Sequence, residues 1–115
     1  MTAYQSLFLL GNLQPNQKVM IHAGASGVGL AATQLAKANN CLVAVTASSA
    51  RKLKTCREYG ADMLIDYTKQ NFVDVIQSNW RNVDVILDFV GGDYLNRNLK
   101  IVNRDGYIVY LAMLA

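Results

Sequence analysis

Proline, histidine and cysteine are scarce in this sequence, and charged residues make up only 17% of it. With a single proline and 52% apolar residues, the chain lacks the composition of a disordered region or a low-complexity linker. We therefore expect it to fold and to bury an apolar core. Its 115 residues leave room for one small domain, because a typical domain has roughly 150 residues.

The small number of potential metal ligands argues against a metal site. His22 is the only histidine, and Cys41 and Cys56 do not form a Cys-x-x-Cys pair. A structural zinc site needs four such ligands, usually at short spacings, so we expect no bound metal. Two unpaired thiols are typical of a reducing compartment, which indicates a cytoplasmic protein.

Long apolar and basic segments are also missing. The longest apolar run, residues 107–115, is about half the length of a membrane-spanning helix, and no basic region precedes the apolar residues 7–10 as in a signal peptide. The net charge is +3, but lysine and arginine cluster tightly only within residues 51–57. That cluster fits a local anion site better than a nucleic-acid groove. We expect neither a membrane nor a nucleic-acid partner.

The sequence does contain an alternation of short apolar runs and segments with helical periodicity. The runs lack the polar alternation of half-exposed strands, as expected where helices cover both faces of a parallel sheet. The predicted strands are Lys18–Ala23, Cys41–Thr46, Met63–Ile65, Val83–Phe89 and Tyr107–Leu111. The predicted helices are Val28–Ala38, Ala50–Tyr59, a segment carrying Phe72, Val75 and Ile76 with Thr68 or Asn71 as its cap, and a segment from Gly91 to about Ile101.

This order predicts an α/β fold of the Rossmann type, a doubly wound open parallel sheet of about five strands with helices on both faces. The expected strand order is 3-2-1-4-5. Ser49 fits the start of the second helix and Gly60 its end, and a turn is expected at residues 103–106. Thr2–Asn12 has apolar residues at helical spacing and should pack against the sheet. We expect residues 1–115 to be one dinucleotide-binding domain, truncated at both ends.

A glycine-rich turn follows the first predicted strand, where a dinucleotide-binding fold places its phosphate-binding turn. It reads Gly24-Ala-Ser-Gly27-Val-Gly29, with Ser26 at the usual place of the second glycine. Gly24 permits a tight turn, and Gly29 permits close packing of the helix on the strand. Ser26 and Gly27 are small enough for a ligand to approach the backbone. The helix start then offers amides and a positive dipole to a pyrophosphate. The alternative is a tight turn without a ligand.

The residues after the second strand favour NADP(H) over NAD(H). NAD-binding domains carry an acid about twenty residues beyond the glycines, which bonds the ribose 2′-hydroxyl. This region instead offers Ser48, Ser49, Arg51 and Lys52, and no carboxylate before Glu58. Hydroxyls and cations suit a 2′-phosphate, which an acid would repel. Alternatively, Arg51 and Lys52 belong to a solvated helix face.

Two further loops should lie along the same edge of the sheet. Tyr67 follows the third strand and either contacts the phosphate or the adenine, or covers an edge of the core. Phe89–Gly92 follows the fourth strand, beside the first across the topological switch point, and should line the crevice near the nicotinamide ribose. We expect Asp88 to hold this loop, and His22, within a buried strand, to be a core histidine.

Four segments, taken in order, resemble the medium-chain dehydrogenase/reductase superfamily, and within it the zinc-free quinone oxidoreductases of the zeta-crystallin type. They are Thr2–Leu7, Lys18–Leu30, Val45–Ser48 and Ile86–Gly92. The resemblance implies an NADPH-dependent reduction of quinones, with the substrate held beside a separate catalytic domain. The implied cofactor contacts are Ala25 through Val28 at the pyrophosphate, Ser48, Lys52 and Tyr67 at the 2′-phosphate, and Thr2, Val90 and Gly91 near the nicotinamide. Asp66 departs from the family, because many relatives have a neutral residue there.

The resemblance assigns no catalytic side chain to this segment, so we expect little or no turnover from it alone. It also implies a homodimer formed through the edge of the sheet, and a small-molecule quinone as the substrate of the intact protein. Two other functions remain open. One is a non-catalytic nucleotide-binding or sensor module, and the other is the cofactor domain of a zinc-dependent alcohol dehydrogenase.

Overall fold

A computed structural model describes residues 2–111 of the chain and shows a five-stranded parallel sheet. Its strand order is β3-β2-β1-β4-β5, which confirms the predicted α/β fold and the predicted order. The strands are β1 (Lys18–His22), β2 (Leu42–Ala47), β3 (Met63–Asp66), β4 (Val83–Asp88) and β5 (Val102–Tyr110). The helices are α1 (Gly27–Ala38), α2 (Ala50–Glu58), α3 (Phe72–Asn79) and α4 (Tyr94–Leu99), and a π-helical segment precedes them at Gln5–Leu10.

Helices cover both faces of the sheet, and β1 shows how its apolar run serves both. Val19 and Ile21 pack in one core cluster with Leu7 of the π-helical segment, and with side chains of α1 and α2. Met20 points to a second cluster, formed with α3 and residues after α4. Because neither face of β1 is open to water, a continuous apolar run is the pattern that burial requires. Leu7 is fully buried, so the N-terminal segment packs on the sheet as predicted.

Local backbone geometry accounts for the ends of the early elements. β1 ends at His22 because Ala23 has a left-handed φ of +62°. Asn71, rather than Thr68, caps α3, since its side chain accepts hydrogen bonds from Val73 and Asp74. Within α3, Phe72 and Ile76 are buried as predicted, and Val75 is only partly buried. Val73, which was not predicted, is buried with them. Ser49 caps α2 as predicted by accepting from the Lys52 amide.

The last helix and strand differ from their predicted bounds. α4 starts at Tyr94 because Gly91 and Gly92 have left-handed φ values of +73° and +59°, which a helix does not tolerate. β5 starts at Val102, five residues before its predicted start at Tyr107. The predicted turn at residues 103–106 is an irregularity inside the strand. Val102 pairs with Val83 and Tyr107 with Val85, so residues 103–106 loop out between two paired positions.

The described part of the chain ends at residue 111. Leu111 lies just beyond β5, and residues 112–115, the rest of the predicted apolar run, lie outside the described residues. No helix within residues 2–111 has both the length and the apolar character needed to cross a membrane.

Candidate functional site

A crevice runs along the carboxyl ends of the strands and consists of two adjoining cavities. The first, of about 280 Å³, lies beyond β1, β2 and β3 and is lined by Ala23, Ala25, Ser26, Ala47, Ser48, Lys52, Tyr67 and Val90. The second, of about 420 Å³, lies beyond β4 and β5 and is lined by Asp88, Phe89, Val90, Gly91, Gly92, Tyr110 and Leu111. Val90 lines both. β1 and β4 are neighbours across the point where the strand order reverses, which is where open α/β sheets bind ligands.

The three glycines of the turn after β1 have different neighbours. A Cβ on Gly24 would lie 2.6 Å from Val45 Cβ, and one on Gly29 would lie 2.7 Å from the Gly24 carbonyl oxygen. Packing inside the protein therefore requires both glycines. A Cβ on Gly27 would meet nothing within 4 Å, so the protein itself gives no steric reason for this glycine. The open space above Gly27 is where a ligand could approach the backbone.

The start of α1 is prepared for an anion. Ser26 caps the helix, and its side-chain oxygen accepts from the Gly29 amide at 3.0 Å. Among the described residues, the amides of Gly27 and Val28 have no protein acceptor, and the first turn contains no acid. Free amides at the positive end of a helix dipole suit a pyrophosphate. The turn therefore fits the phosphates of a dinucleotide.

The backbone of this turn is strained at Ala23. Its left-handed φ of +62° costs a non-glycine residue about 1–2 kcal/mol. Two hydrogen bonds from β2 support the geometry: the Ala23 amide donates to Thr46 Oγ1 at 3.3 Å, and the Gly24 amide donates to the Thr46 carbonyl oxygen at 3.0 Å. The turn is thus fixed by the strand next to it.

Hydroxyl groups and a cation occupy the far wall of the first cavity. Lys52 Nζ donates to Ser48 Oγ at 3.2 Å, and Tyr67, with 45% of its surface exposed, lines the same wall. Lys52 has no carboxylate partner within residues 2–111, where the only salt bridge joins Lys37 and Asp62. An uncommitted ammonium beside two hydroxyls is suited to a phosphate monoester.

Asp66 does not place its charge in this wall. Its Oδ1 accepts from the Thr68 amide at 2.9 Å and from the Thr68 hydroxyl, and the hydrogen bond from that hydroxyl lowers the pKa of the carboxyl group. Asp66 is not among the residues that line the first cavity. The acid that departs from the family pattern is therefore held by its own turn.

Asp88 holds the loop after β4, as expected. Its Oδ1 accepts from the amides of Val90 and Gly91, at 2.7 and 2.9 Å. These bonds stabilise the left-handed backbone at Gly91 and leave Val90 55% exposed at the junction of the two cavities. Tyr110 and Leu111 form the opposite wall of the second cavity.

His22 is a core histidine, as predicted. It is fully buried, with Nδ1 3.1 Å from Thr46 Oγ1 and Nε2 2.8 Å from Asn98 Oδ1. Burial lowers its pKa, against the opposing effects of the Asn98 hydrogen bond and the Asp88 charge. Both ring nitrogens have protein partners, and His22 lines neither cavity.

The structure brings most of the predicted site residues together. Ala25, Ser26, Ser48, Lys52, Tyr67 and Val90 line the first cavity, and Gly91 lines the second. Gly24, Gly27, Val28, Gly29 and Ser49 shape the turn and the helix starts behind these walls. Thr2 lines neither cavity, and its amide and hydroxyl donate to the Gln5 side chain.

Sequence reasoning missed several lining residues, namely Ala23, Ala47, Tyr110 and Leu111. Ala23 directly follows β1 and Ala47 ends the neighbouring β2, so the predicted strand order contained the signal for them. No group of three His, Cys, Asp or Glu side chains that could hold a metal ion occurs in residues 2–111.

Known proteins place the chain in a family. The model of the zinc-binding dehydrogenase family matches residues 27–115. The chain is 34% identical to the synaptic vesicle membrane protein VAT-1 homolog of Danio rerio, covering 94% of this chain and 22% of that protein. It is 37% identical to the quinone oxidoreductase-like protein 2 homolog of Nematostella vectensis, covering 94% of this chain and 30% of that protein.

A solved structure shows the same fold. The Escherichia coli quinone oxidoreductase, crystallised with NADPH, is 31% identical with a TM-score of 0.85, covering 94% of this chain and 34% of that one. The chain thus spans about a third or less of the length of these relatives. It belongs to the zinc-binding dehydrogenase family, and within the medium-chain dehydrogenase/reductase superfamily it has the nucleotide-binding fold of the quinone oxidoreductase-like members.

Proposed function

We propose that this chain is the NADPH-binding domain of an oxidoreductase that passes reducing equivalents from NADPH to a quinone or enone. One observation carries the proposal. The turn that carries the free amides at the start of α1 lines the first cavity through Ala25 and Ser26, and Lys52, which has no carboxylate partner within residues 2–111, lines the same cavity. This juxtaposition supports a ligand with two anionic parts, and we propose that they are the pyrophosphate and the 2′-phosphate of NADPH.

The chain's residues would hold the cofactor along the crevice. The turn from Ala25 through Val28 would bind the pyrophosphate, with the amides of Gly27 and Val28 free to donate. Ser48, Lys52 and Tyr67 would bind the 2′-phosphate. Ser49 supports this second set by starting α2 where Lys52 points to Ser48. The nicotinamide would lie beyond Val90 and Gly91, in the second cavity. Thr2 remains a proposed neighbour of the nicotinamide.

The cofactor and the protein would supply different parts of the chemistry. When bound, NADPH supplies the hydride, and the protein supplies binding and orientation. The loop held by Asp88 fixes the wall against which the nicotinamide would rest. We propose no catalytic side chain in this segment, since its crevice side chains would serve to bind the phosphate groups of the cofactor.

Titration with NADPH and NADH, followed by cofactor fluorescence, tests the cofactor assignment. We expect NADPH to bind at least about tenfold more tightly, a difference of about 1.4 kcal/mol. Lys52→Glu should remove this preference. Lys54→Glu is a matched control, because Lys54 is exposed on the same helix and lines neither cavity. Equal affinity for the two cofactors, or equal losses in both variants, would refute the assignment.

The substrate class is supported by two relatives whose names include quinone oxidoreductase. The test is to express the complete reading frame that encodes this chain and to follow NADPH consumption with a quinone, an enone and an aldehyde. We expect consumption with the quinone or the enone, without added zinc. Consumption with the aldehyde alone, abolished by a chelator, would instead support a zinc-dependent alcohol dehydrogenase.

We also propose a homodimer formed through β5, which has a neighbour on one side only in the described sheet. The Leu111 amide donates to the Asp88 carbonyl, so the alternation of strand hydrogen bonds turns the Ile108 amide to the free edge. Ile108→Pro should therefore weaken dimerisation in sedimentation velocity, whereas Ile108→Val should not. A concentration-independent monomer would contradict the proposal.

We further propose a cytoplasmic location. Both cysteines are free and buried, and burial raises the pKa of both thiols, so they stay protonated and unreactive. Fractionation of cells that express the tagged protein tests this, and recovery in the membrane fraction would contradict it.

A further inference from the structure

Four buried polar side chains form a continuous hydrogen-bonded set beneath the crevice. They are His22, Thr46, Asp88 and Asn98, each no more than 1% exposed, and we call them the buried network. Thr46 Oγ1 lies 3.1 Å from His22 Nδ1, His22 Nε2 lies 2.8 Å from Asn98 Oδ1, and Asn98 Nδ2 lies 2.7 Å from Asp88 Oδ2. The network therefore joins β2, β1, α4 and β4.

The chemistry of the groups fixes the direction of every bond. The Asp88 carboxylate only accepts, so Asn98 donates to it through Nδ2 and turns Oδ1 to His22. His22 must then donate from Nε2, which makes neutral Nδ1 an acceptor for the Thr46 hydroxyl. Thr46 Oγ1 in turn accepts from the Ala23 amide. No member can reverse its bond without leaving a buried group unsatisfied.

The two ends of the network lie on the two loops of the proposed cofactor site. One end bonds the amide of Ala23, and the other bonds the amides of Val90 and Gly91. Ala23 and Gly91 both have left-handed backbone, with φ of +62° and +73°, and they line the first and second cavities respectively. The network thus bonds left-handed backbone at both halves of the crevice, and at Ala23 that backbone is strained.

We propose that the buried network positions these two loops relative to each other, so that both halves of one dinucleotide are bound together. The proposal rests on the proposed function, since the loops are those that would hold the pyrophosphate and the nicotinamide. The four members are positioning residues, because every bond that defines the network joins it to another protein group. Phe72 and Tyr94, whose ring centroids lie 4.5 and 4.8 Å from that of His22, exclude water from the middle of the network.

The test breaks the network at one end and observes the other. Thr46→Val removes the hydroxyl at the Ala23 end, and Asn98→Leu removes the link to Asp88. We expect Thr46→Val to speed hydrogen exchange at the Val90 and Gly91 amides, and Asn98→Leu to speed it at the Ala23 amide. Thr46→Ser keeps the hydroxyl and should restore the slow exchange. If exchange changes only in the loop next to each substitution, the network does not couple the loops.

Affinity for NADPH supplies the functional readout. Thr46→Val and Asn98→Leu should each bind NADPH about tenfold more weakly. The double variant should bind about as weakly as the weaker-binding of these two, because the network is already broken. Losses that multiply in the double variant would mean two independent local contacts. Ile76→Val trims the core beside Phe72 and controls for lost stability, since it should leave NADPH affinity unchanged.

The two readouts separate the two proposals. If the wild-type chain fails to bind NADPH, the proposed function fails, while the exchange measurements still decide whether the network couples the loops. If Asn98→Leu does not fold, hydrogen exchange at the Val90 and Gly91 amides, compared between Thr46→Val and Thr46→Ser, still shows whether the loops are coupled.

Discussion

At the scale of single residues, the glycines of the turn after β1 separate the needs of the fold from those of a ligand. Gly24→Ala would place a Cβ 2.6 Å from Val45 Cβ, and such overpacking costs about 1–3 kcal/mol. Gly27→Ala meets open space, so the free energy of unfolding should change by less than about 1 kcal/mol. Urea denaturation measures both effects.

Gly27→Ala should nevertheless affect cofactor binding. Gly27→Ala should weaken NADPH binding in a fully folded protein, because the methyl group fills the space left for the pyrophosphate. If Gly27→Ala binds NADPH as tightly as the wild type, the phosphate does not approach this turn.

His22 predicts how stability depends on pH. Burial lowers its pKa in the folded protein below the usual 6.5, while the nearby Asp88 raises the pKa and Arg97 lowers it. Below pH 6.5 the unfolded chain binds a proton that the folded chain does not. The free energy of unfolding should therefore fall as the pH drops from 6.5 towards the folded pKa, by up to about 1.4 kcal/mol per pH unit.

A single variant isolates this effect. His22 is the only histidine, and carboxyl groups titrate near pH 4. Denaturation of His22→Gln between pH 5 and pH 6.5 should therefore give a nearly flat profile. A variant that kept the wild-type slope would show that another group titrates there.

Local chemistry made much of the candidate site predictable from single residues. Gly24 and Ser26 belong to one short sequence motif, and Lys52 lies in α2, the next helix along the chain. The residue types alone indicate a tight turn, a helix cap and a cation. The buried network was not predictable, because Asn98 lies far along the chain from His22 and Thr46. Only the packing of α4 against the carboxyl end of the sheet brings these groups together.

At the scale of elements, helix caps position the side chains that face the crevice. Ser49 Oγ accepts from the Lys52 amide at 3.3 Å, which fixes the first turn of α2 beside Ser48. Ser49→Ala should lower the free energy of unfolding by about 1 kcal/mol. Ser78→Ala, an exposed position within α3, is the matched control and should cause no loss in thermal denaturation. Equal effects of the two substitutions would mean that the cap contributes nothing.

The elements that sequence reasoning placed well are those with strong local signals. Ser49, Gly60 and the apolar period define α2 almost to the residue. The predicted start of β5 is five residues too late, because Asn103, Asp105 and Gly106 have the composition of a turn. The pairs on either side of these residues, Val102 with Val83 and Tyr107 with Val85, keep them within the strand despite that composition. Gly106 lies so close to β4 that a Cβ there would be 2.6 Å from the Asp84 carbonyl oxygen.

At the scale of the whole molecule, the strand order creates the crevice. Because β1 lies between β2 and β4, the loops after β1 and β4 diverge to opposite faces and leave a gap between them. The alternation of apolar runs and helical segments predicted the α/β class, and the usual order of a dinucleotide-binding sheet supplied the strand order. Neither was enough to predict how the second cavity closes, because Tyr110 and Leu111 reach it only through the register of β5 on β4.

The most direct test of the account is an NMR titration of the uniformly ¹⁵N-labelled chain with NADPH and, separately, with NADH. We predict that both cofactors shift the amides of Gly27, Val28, Val90 and Gly91, and that only NADPH shifts those of Ser48 and Lys52. Shifts confined to another surface, or the same Ser48 and Lys52 shifts with both cofactors, would contradict it.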